Sequence, residues 1–264
     1  MKSAQWSDLR ERVISGVVLA ILGLTSAIIG GNAFGLFVSV ICGAMIWELF
    51  NLSSKGRVFP LVAALIVGLC LYFLPAGSWG SITILFLVVP ISAFIAAQNH
   101  KVRVFLFAIM ISASGLVLDI LRNDQGLYWL LWLVMIVIAS DVAGYFGGRL
   151  MGGPKFWPSL SPKKTWSGTA SGWIAAALVG LVFDTANAVL FVALSVLVAF
   201  ASQMGDIAES ALKRKFEIKD SSNLIPGHGG FLDRFDAMIA AALVVGAMSF
   251  VLPEGLDLFK LEWR

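Results

Sequence analysis

The chain has few charged residues for its length. Of its 264 residues only 13% are Asp, Glu, Lys or Arg, whereas 59% are hydrophobic and the mean hydropathy is +0.89. Soluble globular domains carry about 25% charged residues, so this composition excludes an ordinary soluble domain. Apolar runs long enough to cross a bilayer recur along the chain, which indicates a polytopic membrane protein.

Cysteine is also scarce, with two residues in the whole chain. Cys42 and Cys70 both lie inside apolar runs, so neither a disulfide nor a thiolate metal site is expected. Lys2, Arg10 and Arg12 precede the first apolar run, as in a signal peptide, but no small-residue cleavage site follows before the next run. We therefore predict that the first helix is retained.

The fold class predicted from these runs is an all-α polytopic membrane protein with about nine transmembrane helices. Sixteen of the nineteen Lys and Arg residues fall on one side of the predicted membrane, leaving Arg122, Lys260 and Arg264 opposite. The positive-inside rule then predicts a cytosolic N-terminus and cytosolic basic loops. We interpret residues 1–125 as a helical frame with oligomer contacts and residues 126–264 as the region with the chemistry. The predicted spans are residues 13–30, 33–50, 58–75, 80–97, 103–121, 127–146, 169–184, 186–205 and 237–252.

The first five helices offer little chemistry. Glu48 lies at the cytosolic end of the second predicted helix, where a carboxylate can reach the lipid headgroups. At the bilayer centre such a group would cost about 2.5–3.5 kcal/mol on insertion scales. We interpret Glu48 as a headgroup contact, and Asp119 in the same way at the opposite face. Trp79, Trp129 and Trp132 stand near predicted helix ends and fit an interfacial belt.

Polar groups gather around the long loop after the sixth predicted helix. Asp141 stands among small residues that would let another helix approach, and it either caps a local network or faces a polar cavity. Ser161, Lys163, Lys164 and Thr165 then precede the seventh helix, where hydroxyls, backbone amides and lysines form an anion site. The alternative is that these lysines only fix the orientation of the chain in the membrane.

The end of the eighth predicted helix carries a polar stripe. Ser202, Asp206 and Ser210, or Glu209 in place of Ser210, recur at spacings of three or four residues and share one helical face. A polar stripe is unfavourable against lipid. We therefore predict that this stripe points into the protein.

The densest charge of the chain follows in residues 210–236. Its Pro-Gly-His-Gly-Gly turn has three glycines, which permit close approach of the backbone to a ligand. Within the turn, His228 is interpreted first as a residue that fixes the loop and second as a site residue. Within this segment, Lys213 and Arg214 stand where the phosphates of a substrate would meet positive charge.

Two carboxylates of this segment share a helical face, because Asp233 and Asp236 are three residues apart. Magnesium is typically held by one or two protein carboxylates together with phosphate oxygens and water. Asp206, Asp233 and Asp236 suit this arrangement if the eighth and ninth helices pack side by side. The alternative is an ion-pair network in which Arg234 and Lys213 neutralise the acids.

With these residues assembled, the chain resembles the phosphatidate cytidylyltransferases, also called CDP-diacylglycerol synthases. The signature of that family is Ser-x-apolar-Lys-Arg, then Lys-Asp, then apolar-Pro-x-His-Gly-Gly-apolar-x-Asp-Arg-apolar-Asp, and residues 210–236 match every specified position. The similarity extends upstream through residues 141–148 and 161–166. Ser167 departs from the pattern, because many members have Glu there, so no role is carried over to this position.

The resemblance implies the transfer of CMP from CTP to phosphatidic acid, giving CDP-diacylglycerol and pyrophosphate in phospholipid biosynthesis. It implies Mg²⁺, with a second cation left open, and a homodimer in the bacterial inner membrane with a cytosolic site and no nucleic-acid partner. Asp206, Asp233 and Asp236 would hold the metal and, with Lys213, form the catalytic set. The substrate-binding set would be Ser161, Lys163, Lys164, Thr165, Ser202, Ser210, Arg214, Lys219, His228, Gly229 and Arg234.

Two other classes of function compete with this interpretation. A CTP-dependent lipid-alcohol kinase would also need a metal, a nucleotide and a membrane site, but it would release CDP rather than pyrophosphate. A lipid transporter or flippase would place ionisable residues near the middle of the membrane in related halves of the chain. Here those residues gather at one end of the sequence and at one predicted face of the bilayer, which disfavours a transporter.

Overall fold

The computed structural model describes residues 2–54, 56, 58–74, 78–183 and 188–251. A π-helical turn, Ile84–Val88, joins α4 to α5, and an antiparallel hairpin of two strands lies between α7 and α8. The strands are β1 (Lys155–Trp157) and β2 (Ser161–Thr165). The helices are α1 (Lys2–Ile29), α2 (Gly31–Ser53), α3 (Val58–Phe73), α4 (Trp79–Thr83), α5 (Val89–Ala96), α6 (Lys101–Asn123), α7 (Leu127–Met151), α8 (Trp166–Phe183), α9 (Ala188–Lys215) and α10 (Leu232–Val251).

The all-α polytopic fold is confirmed. By length and composition, six helices of the described part can cross a bilayer, namely residues 10–29 of α1 and the whole of α2, α6, α7, α8 and α9. Each predicted span coincides with a helix, and the fourth coincides with the continuous run from α4 to α5. Lys55, Arg57, Lys260 and Arg264, which entered the charge count, lie outside the described residues.

Several helices extend beyond their predicted ends. α9 continues to Lys215 rather than ending at residue 205, α7 continues to Met151, and α10 begins at Leu232. The predicted ends follow the loss of hydrophobicity, whereas the helical hydrogen bonds continue wherever the backbone remains helical. The polar stripe of α9 therefore belongs to a helix that carries its charges out of the apolar region.

The bundle is tied together at both ends. At one end, Arg122 of α6 donates to the carbonyls of Ala27 and Ile28, the latter at 3.0 Å, and so binds the last turn of α1. At the other end, His100 before α6 donates to the carbonyl of Lys215 at the end of α9, at 3.0 Å. We call this second end, where α7 and α9 finish and α6, α8 and α10 begin, the polar end. The loop of residues 216–231, which connects α9 to α10, also lies there.

Small residues bring α7 and α8 close together, as the sequence predicts for this segment. Gly144 of α7 faces Gly168 near the start of α8, and a Cβ on Gly168 would overlap the Gly144 carbonyl. Further along α7, Trp132 is 0% exposed and donates to Ser195 Oγ at 3.0 Å. The prediction that Trp132 lies in an interfacial belt is therefore wrong, because its ring is part of the core between α7 and α9.

The β hairpin is a feature that the sequence does not predict. Lys155 pairs with Thr165 and Trp157 pairs with Ser161, with an irregularity between the two pairs. The strand segment Ser161–Thr165 lacks the alternation of apolar and polar residues that marks a strand. Its position at the start of α8 places Lys163 over the polar end of the bundle.

Candidate active site

A pocket with a volume of about 730 Å³ opens at the polar end between β2 and the helices α7, α8, α9 and α10. Ligand pockets in proteins are typically about 300–1,000 Å³, so this one has the size of a ligand site. Four acids and five cations line it among neutral residues. They are Asp141, Asp206, Asp233, Asp236, Arg149, Lys163, Lys164, Lys213 and Arg234.

The close approach of α9 and α10 brings Asp206 and Asp236 to the same pocket. Gly205 makes that approach possible, because a Cβ there would overlap the carbonyl oxygen of Asp236 and would lie 2.8 Å from Ala240 Cβ. The prediction that the eighth and ninth helices pack side by side is thus confirmed. Asp206 stands next to the contact and Asp236 forms part of it.

Asp206 links the hairpin to α9. Its Oδ2 lies 2.6 Å from Lys164 Nζ, and the same ammonium group donates to the carbonyl of Gln203 at 3.2 Å. Ser210 Oγ lies 3.5 Å from Asp206 Oδ1, so the predicted polar stripe does point inward here. The Asp206 side chain is still 39% exposed, which leaves it open to a ligand.

Asp141 faces the pocket rather than a separate local network. It lines the pocket together with Asp206 and Asp236, and it is close enough for the charges of Asp206 and Lys164 to act on it. The sequence left its role open, and it was not among the predicted site residues. Its place in the sequence could have indicated a site residue, because Asp141 lies shortly before the end of α7 among small residues that allow another helix to pack closely.

Asp233 holds the loop that precedes α10. Its Oδ2 accepts hydrogen bonds from Ser221 N at 2.9 Å, Ser221 Oγ at 3.0 Å and Gly230 N at 2.8 Å. Its Oδ1 lies 2.9 Å from Lys213 Nζ, which also lies 2.7 Å from Glu209 Oε2. The structure therefore places Lys213 in an ion-pair network, which is the alternative that the sequence left open for this residue. Both oxygens of Asp233 already have partners.

Loop fixing is also the role that the structure gives His228. Its Nδ1 lies 2.7 Å from Ser15 Oγ on α1, and its carbonyl accepts two hydrogen bonds from Arg234, at 2.8 and 2.6 Å. Partial burial, together with the charges of Arg234 and Arg12, lowers the pKa of His228 below its ordinary value. The imidazole is therefore neutral near pH 7 and suited to this hydrogen bond.

Not every predicted site residue lies at the pocket. Ser202 is fully buried, with Oγ 3.5 Å from Ser140 Oγ, and Arg214 and Lys219 are exposed. Predicted residues that line the pocket are Lys163, Lys164, Thr165, Asp206, Lys213, Asp233, Arg234 and Asp236, and those outside its lining are Ser161, Ser202, Ser210, Arg214, Lys219, His228 and Gly229. The structure thus gathers the carboxylates and the hairpin lysines at the pocket but leaves Arg214 and Lys219 outside it.

Glu48 is not a headgroup contact, and that prediction is wrong. The residue is 1% exposed, because the loop of residues 216–231 folds over the end of α2. Its carboxylate accepts hydrogen bonds from the backbone N–H groups of Phe231 at 2.9 Å and Leu232 at 2.8 Å. Sequence reasoning missed it because the partners lie more than 170 positions further along the chain, and nothing local to α2 indicates them.

The pocket offers oxygen ligands of the kind that a hard divalent cation prefers. Asp236 lies close enough to Asp206 for the two like charges to repel each other, so a cation between them would relieve that repulsion. Within the described residues, no group of three or more His, Cys, Asp or Glu side chains is close enough to hold a metal ion. Asp206 and Asp236, which both line the pocket, offer the one or two protein carboxylates that a cation such as Mg²⁺ takes together with substrate phosphates and water.

These features define the class: an integral membrane protein with a pocket at one end of a helical bundle that is lined by both carboxylates and basic side chains. The chain belongs to the cytidylyltransferase family, which matches residues 10–252. The phosphatidate cytidylyltransferase of Brucella suis is 36% identical over 94% of this chain and 96% of its own length. The enzyme of the same name from Staphylococcus saprophyticus is 31% identical over 88% of this chain and 95% of its own. That of Bacillus subtilis is 28% identical over 88% and 94%. The resemblance inferred from residues 210–236 is confirmed.

Proposed function

We propose that the chain is a phosphatidate cytidylyltransferase that transfers CMP from CTP to phosphatidic acid. The observation that supports this most is the pocket at the polar end, where the carboxylates Asp206 and Asp236 stand opposite the lysines of β2. Enzymes of that name are similar to this chain over nearly its whole length. The size of the pocket and its mixture of charges suit a nucleoside triphosphate better than an uncharged substrate.

The chemistry demands that two polyanions meet. A phosphate oxygen of the lipid attacks the α-phosphorus of CTP, a new P–O–P bond forms, and the bond to the β-phosphate breaks to release pyrophosphate. Positioning and charge neutralisation supply most of the catalysis in phosphoryl-type transfer. Lys163 and Arg234, which line the pocket, would offset part of this repulsion. No general base is required, because a lipid phosphate is already anionic near neutral pH.

In this proposal Asp206 and Asp236 hold Mg²⁺, with Asp141 in the same wall. The ion would neutralise charge on the α-phosphate and on the departing pyrophosphate. Lys164, which pairs with Asp206, lies beside these ligands, where its ammonium group would contact substrate phosphate. Asp233 was predicted as a third ligand, but its hydrogen bonds to the loop favour a role in holding Lys213 and the start of α10.

The proposal places the polar end in the cytosol. Among the described residues, most basic side chains lie at that end, while Arg122 lies at the other, as the positive-inside rule requires of a cytosolic face. A soluble nucleotide would enter from water, and the lipid would reach the pocket with its tails still in the bilayer. A bacterial inner-membrane location, a homodimer and a second cation stay predictions from the resemblance.

The test is a product analysis of the detergent-purified protein. The protein is incubated with Mg²⁺, phosphatidic acid and CTP labelled in the cytosine ring, and the lipid and aqueous products are separated. A labelled CDP-lipid with equimolar pyrophosphate supports the proposal. In a parallel incubation with diacylglycerol in place of phosphatidic acid, release of labelled CDP with phosphorylation of the lipid alcohol would favour the kinase. In vesicles reconstituted with the protein, lipid movement across the bilayer without consumption of CTP would favour the transporter. Asp236→Asn protein, purified in parallel, controls for contaminating enzymes.

A further inference from the structure

A buried carboxylate from the N-terminal half of the chain holds the loop that carries the site residues. Glu48 of α2 accepts from Ser221 Oγ at 3.1 Å, Ser222 Oγ at 2.6 Å, Phe231 N at 2.9 Å and Leu232 N at 2.8 Å. With 1% of its surface exposed, the group cannot exchange these bonds for water. Glu48 belongs neither to the proposed metal site nor to the residues proposed to contact the substrates. A buried carboxylate at this position must therefore have a different role.

Two of these bonds cap the N-terminus of α10. The first N–H groups of a helix have no partner within the helix, and here Leu232 is the first residue of α10 and Phe231 precedes it. A carboxylate is favourable at a helix N-terminus because the helix dipole is positive there. Glu48 therefore caps α10 from a different helix, and Asp233 lies in the first turn that it caps.

The other two bonds come from serine hydroxyls of the loop, and the one from Ser221 also reaches the site. Ser221 Oγ lies 3.1 Å from Glu48 Oε2 and 3.0 Å from Asp233 Oδ2, so its single proton serves either carboxylate. Gly230 fits between them, because a Cβ there would overlap both Ser221 Oγ and the Glu48 carboxylate. The glycine that ends the His-Gly-Gly turn thus leaves room for the contact between Glu48 and the loop.

We propose that Glu48 is a positioning residue for cytidylyl transfer: its hydrogen bonds to residues 221–232 fix the start of α10 and so set the directions of Asp233 and Asp236. This rests on the proposed function for its catalytic consequence, but the anchoring itself can be measured without substrate. A misplacement of about 1 Å far from the chemistry can cost about 10²-fold in rate. A carboxylate that holds both a cap and a loop is placed to cause such a misplacement when it is changed.

The central variant is Glu48→Gln, which keeps the size of the side chain but turns one acceptor into a donor that faces an N–H group. We expect kcat per folded molecule to fall about 10²-fold, with little change in the KM for CTP. A role in folding alone would lower the yield and the melting temperature but leave kcat per folded molecule intact. Glu48→Asp keeps the negative charge on a shorter side chain. Its kcat should lie between the kcat of the wild-type protein and that of Glu48→Gln.

Amide hydrogen exchange without substrate provides the second readout. In Glu48→Gln, peptides that cover residues 220–236 should exchange faster than in the unchanged protein, while peptides from α7 and α8 should not. Asp119→Asn is the matched control, because it makes the same carboxylate-to-amide change in a residue whose hydrogen bond is to Asn123, one turn along its own helix. This control should leave both the exchange of residues 220–236 and kcat unchanged.

Two results would overturn the proposal: unchanged kcat in Glu48→Gln, or a loss of kcat with unchanged exchange in residues 220–236. If Glu48→Gln does not fold, Ser222→Ala removes a single bond to Glu48 and decides by the same two readouts, with smaller expected effects. If the wild-type protein makes no CDP-lipid, the proposed function is wrong, whatever the Glu48 variants show. The exchange comparison then still decides whether Glu48 anchors the loop.

Discussion

At the scale of the residue, the four pocket acids differ in how many partners they already have. Asp233 accepts from the loop and from Lys213 through both oxygens, whereas Asp206 has one ion pair and an exposed remainder. Asp236 Oδ1 accepts a hydrogen bond from Ala237 N at 2.7 Å. Asp206 and Asp236 are thus the acids best placed to bind a cation. Substitution of each acid should show which of them bind the cation and which stabilise the fold.

For Asp206→Asn and Asp236→Asn we expect turnover to fall by at least about 10²-fold, because a neutral amide would neither hold the cation nor offset its charge. The melting temperature of either variant should stay close to that of the unchanged protein. The rate of CDP-lipid formation across a Mg²⁺ titration, with a thermal melt of the same samples, measures both. Full activity in either variant would remove that residue from the proposed metal site.

Lys213→Ala should act mainly on stability. The Lys213 side chain is 17% exposed and pairs with Glu209, whose side chain is 1% exposed, and with Asp233, at 5%. Removing one partner of a buried ion pair costs about 3–5 kcal/mol, because the remaining charge is left uncompensated. Chemical or thermal unfolding in detergent measures the loss.

The matched control for Lys213→Ala is the double variant Lys213→Met with Glu209→Gln, which removes a cation and an acid together. It should recover part of the lost stability. A Lys213→Ala protein that unfolds like the unchanged one, but binds CTP more weakly, would instead favour the direct phosphate contact that the sequence predicts.

At the scale of the element, the site depends on how closely α9 and α10 approach. A Cβ at Gly205 has no room against the backbone of Asp236, and overpacking of this kind typically costs about 1–3 kcal/mol. We expect Gly205→Ala to lower both stability and activity, and Gly205→Leu to abolish activity, since it separates Asp206 from Asp236. Gly35→Ala in α2 is the control, because its Cβ would lie at an ordinary 3.5 Å from Asp119 Oδ1. Equal activity in the two alanine variants would contradict the role given to this contact.

The sequence predicted elements better than it predicted contacts between them. Apolar runs are set by the bilayer, so the helices and the presence of Asp206 and Asp236 on neighbouring helices could be predicted. Trp132 could not be placed, because a tryptophan near a helix end looks the same whether it meets lipid headgroups or Ser195. Glu48 was misread for a related reason: its partners are in a loop from the other end of the chain, and no local pattern records that contact.

At the scale of the whole molecule, the charges divide the described part of the bundle into a polar end and an opposite end. The division of the chain into a frame, 1–125, and a catalytic region, 126–264, stays a prediction, and Glu48 connects the two regions directly. The orientation of the whole bundle is also a prediction, and it can be tested independently of activity.

For that test we expect a membrane-impermeant thiol reagent to label Asn223→Cys only from the cytosolic side and Asp124→Cys only from the outer side. Both positions are exposed, and they lie in the loop of the polar end and beyond the end of α6, respectively. The background should be low because the native Cys42 and Cys70 are buried free thiols. Labelling of both variants from the same side of oriented vesicles would contradict the predicted topology.

The β2 strand is the wall of the pocket that is not made from a helix of the bundle, and Lys164 ties it to Asp206 through one ion pair. Lys163 of this strand is exposed, so a substitution there would not require the apolar interior to repack. Under the proposed function, such a substitution would change nucleotide binding without disturbing the lipid-facing surface of the bundle. It follows that turnover can be adjusted in a segment of a few residues, while the anchorage of the protein in the bilayer stays as it is.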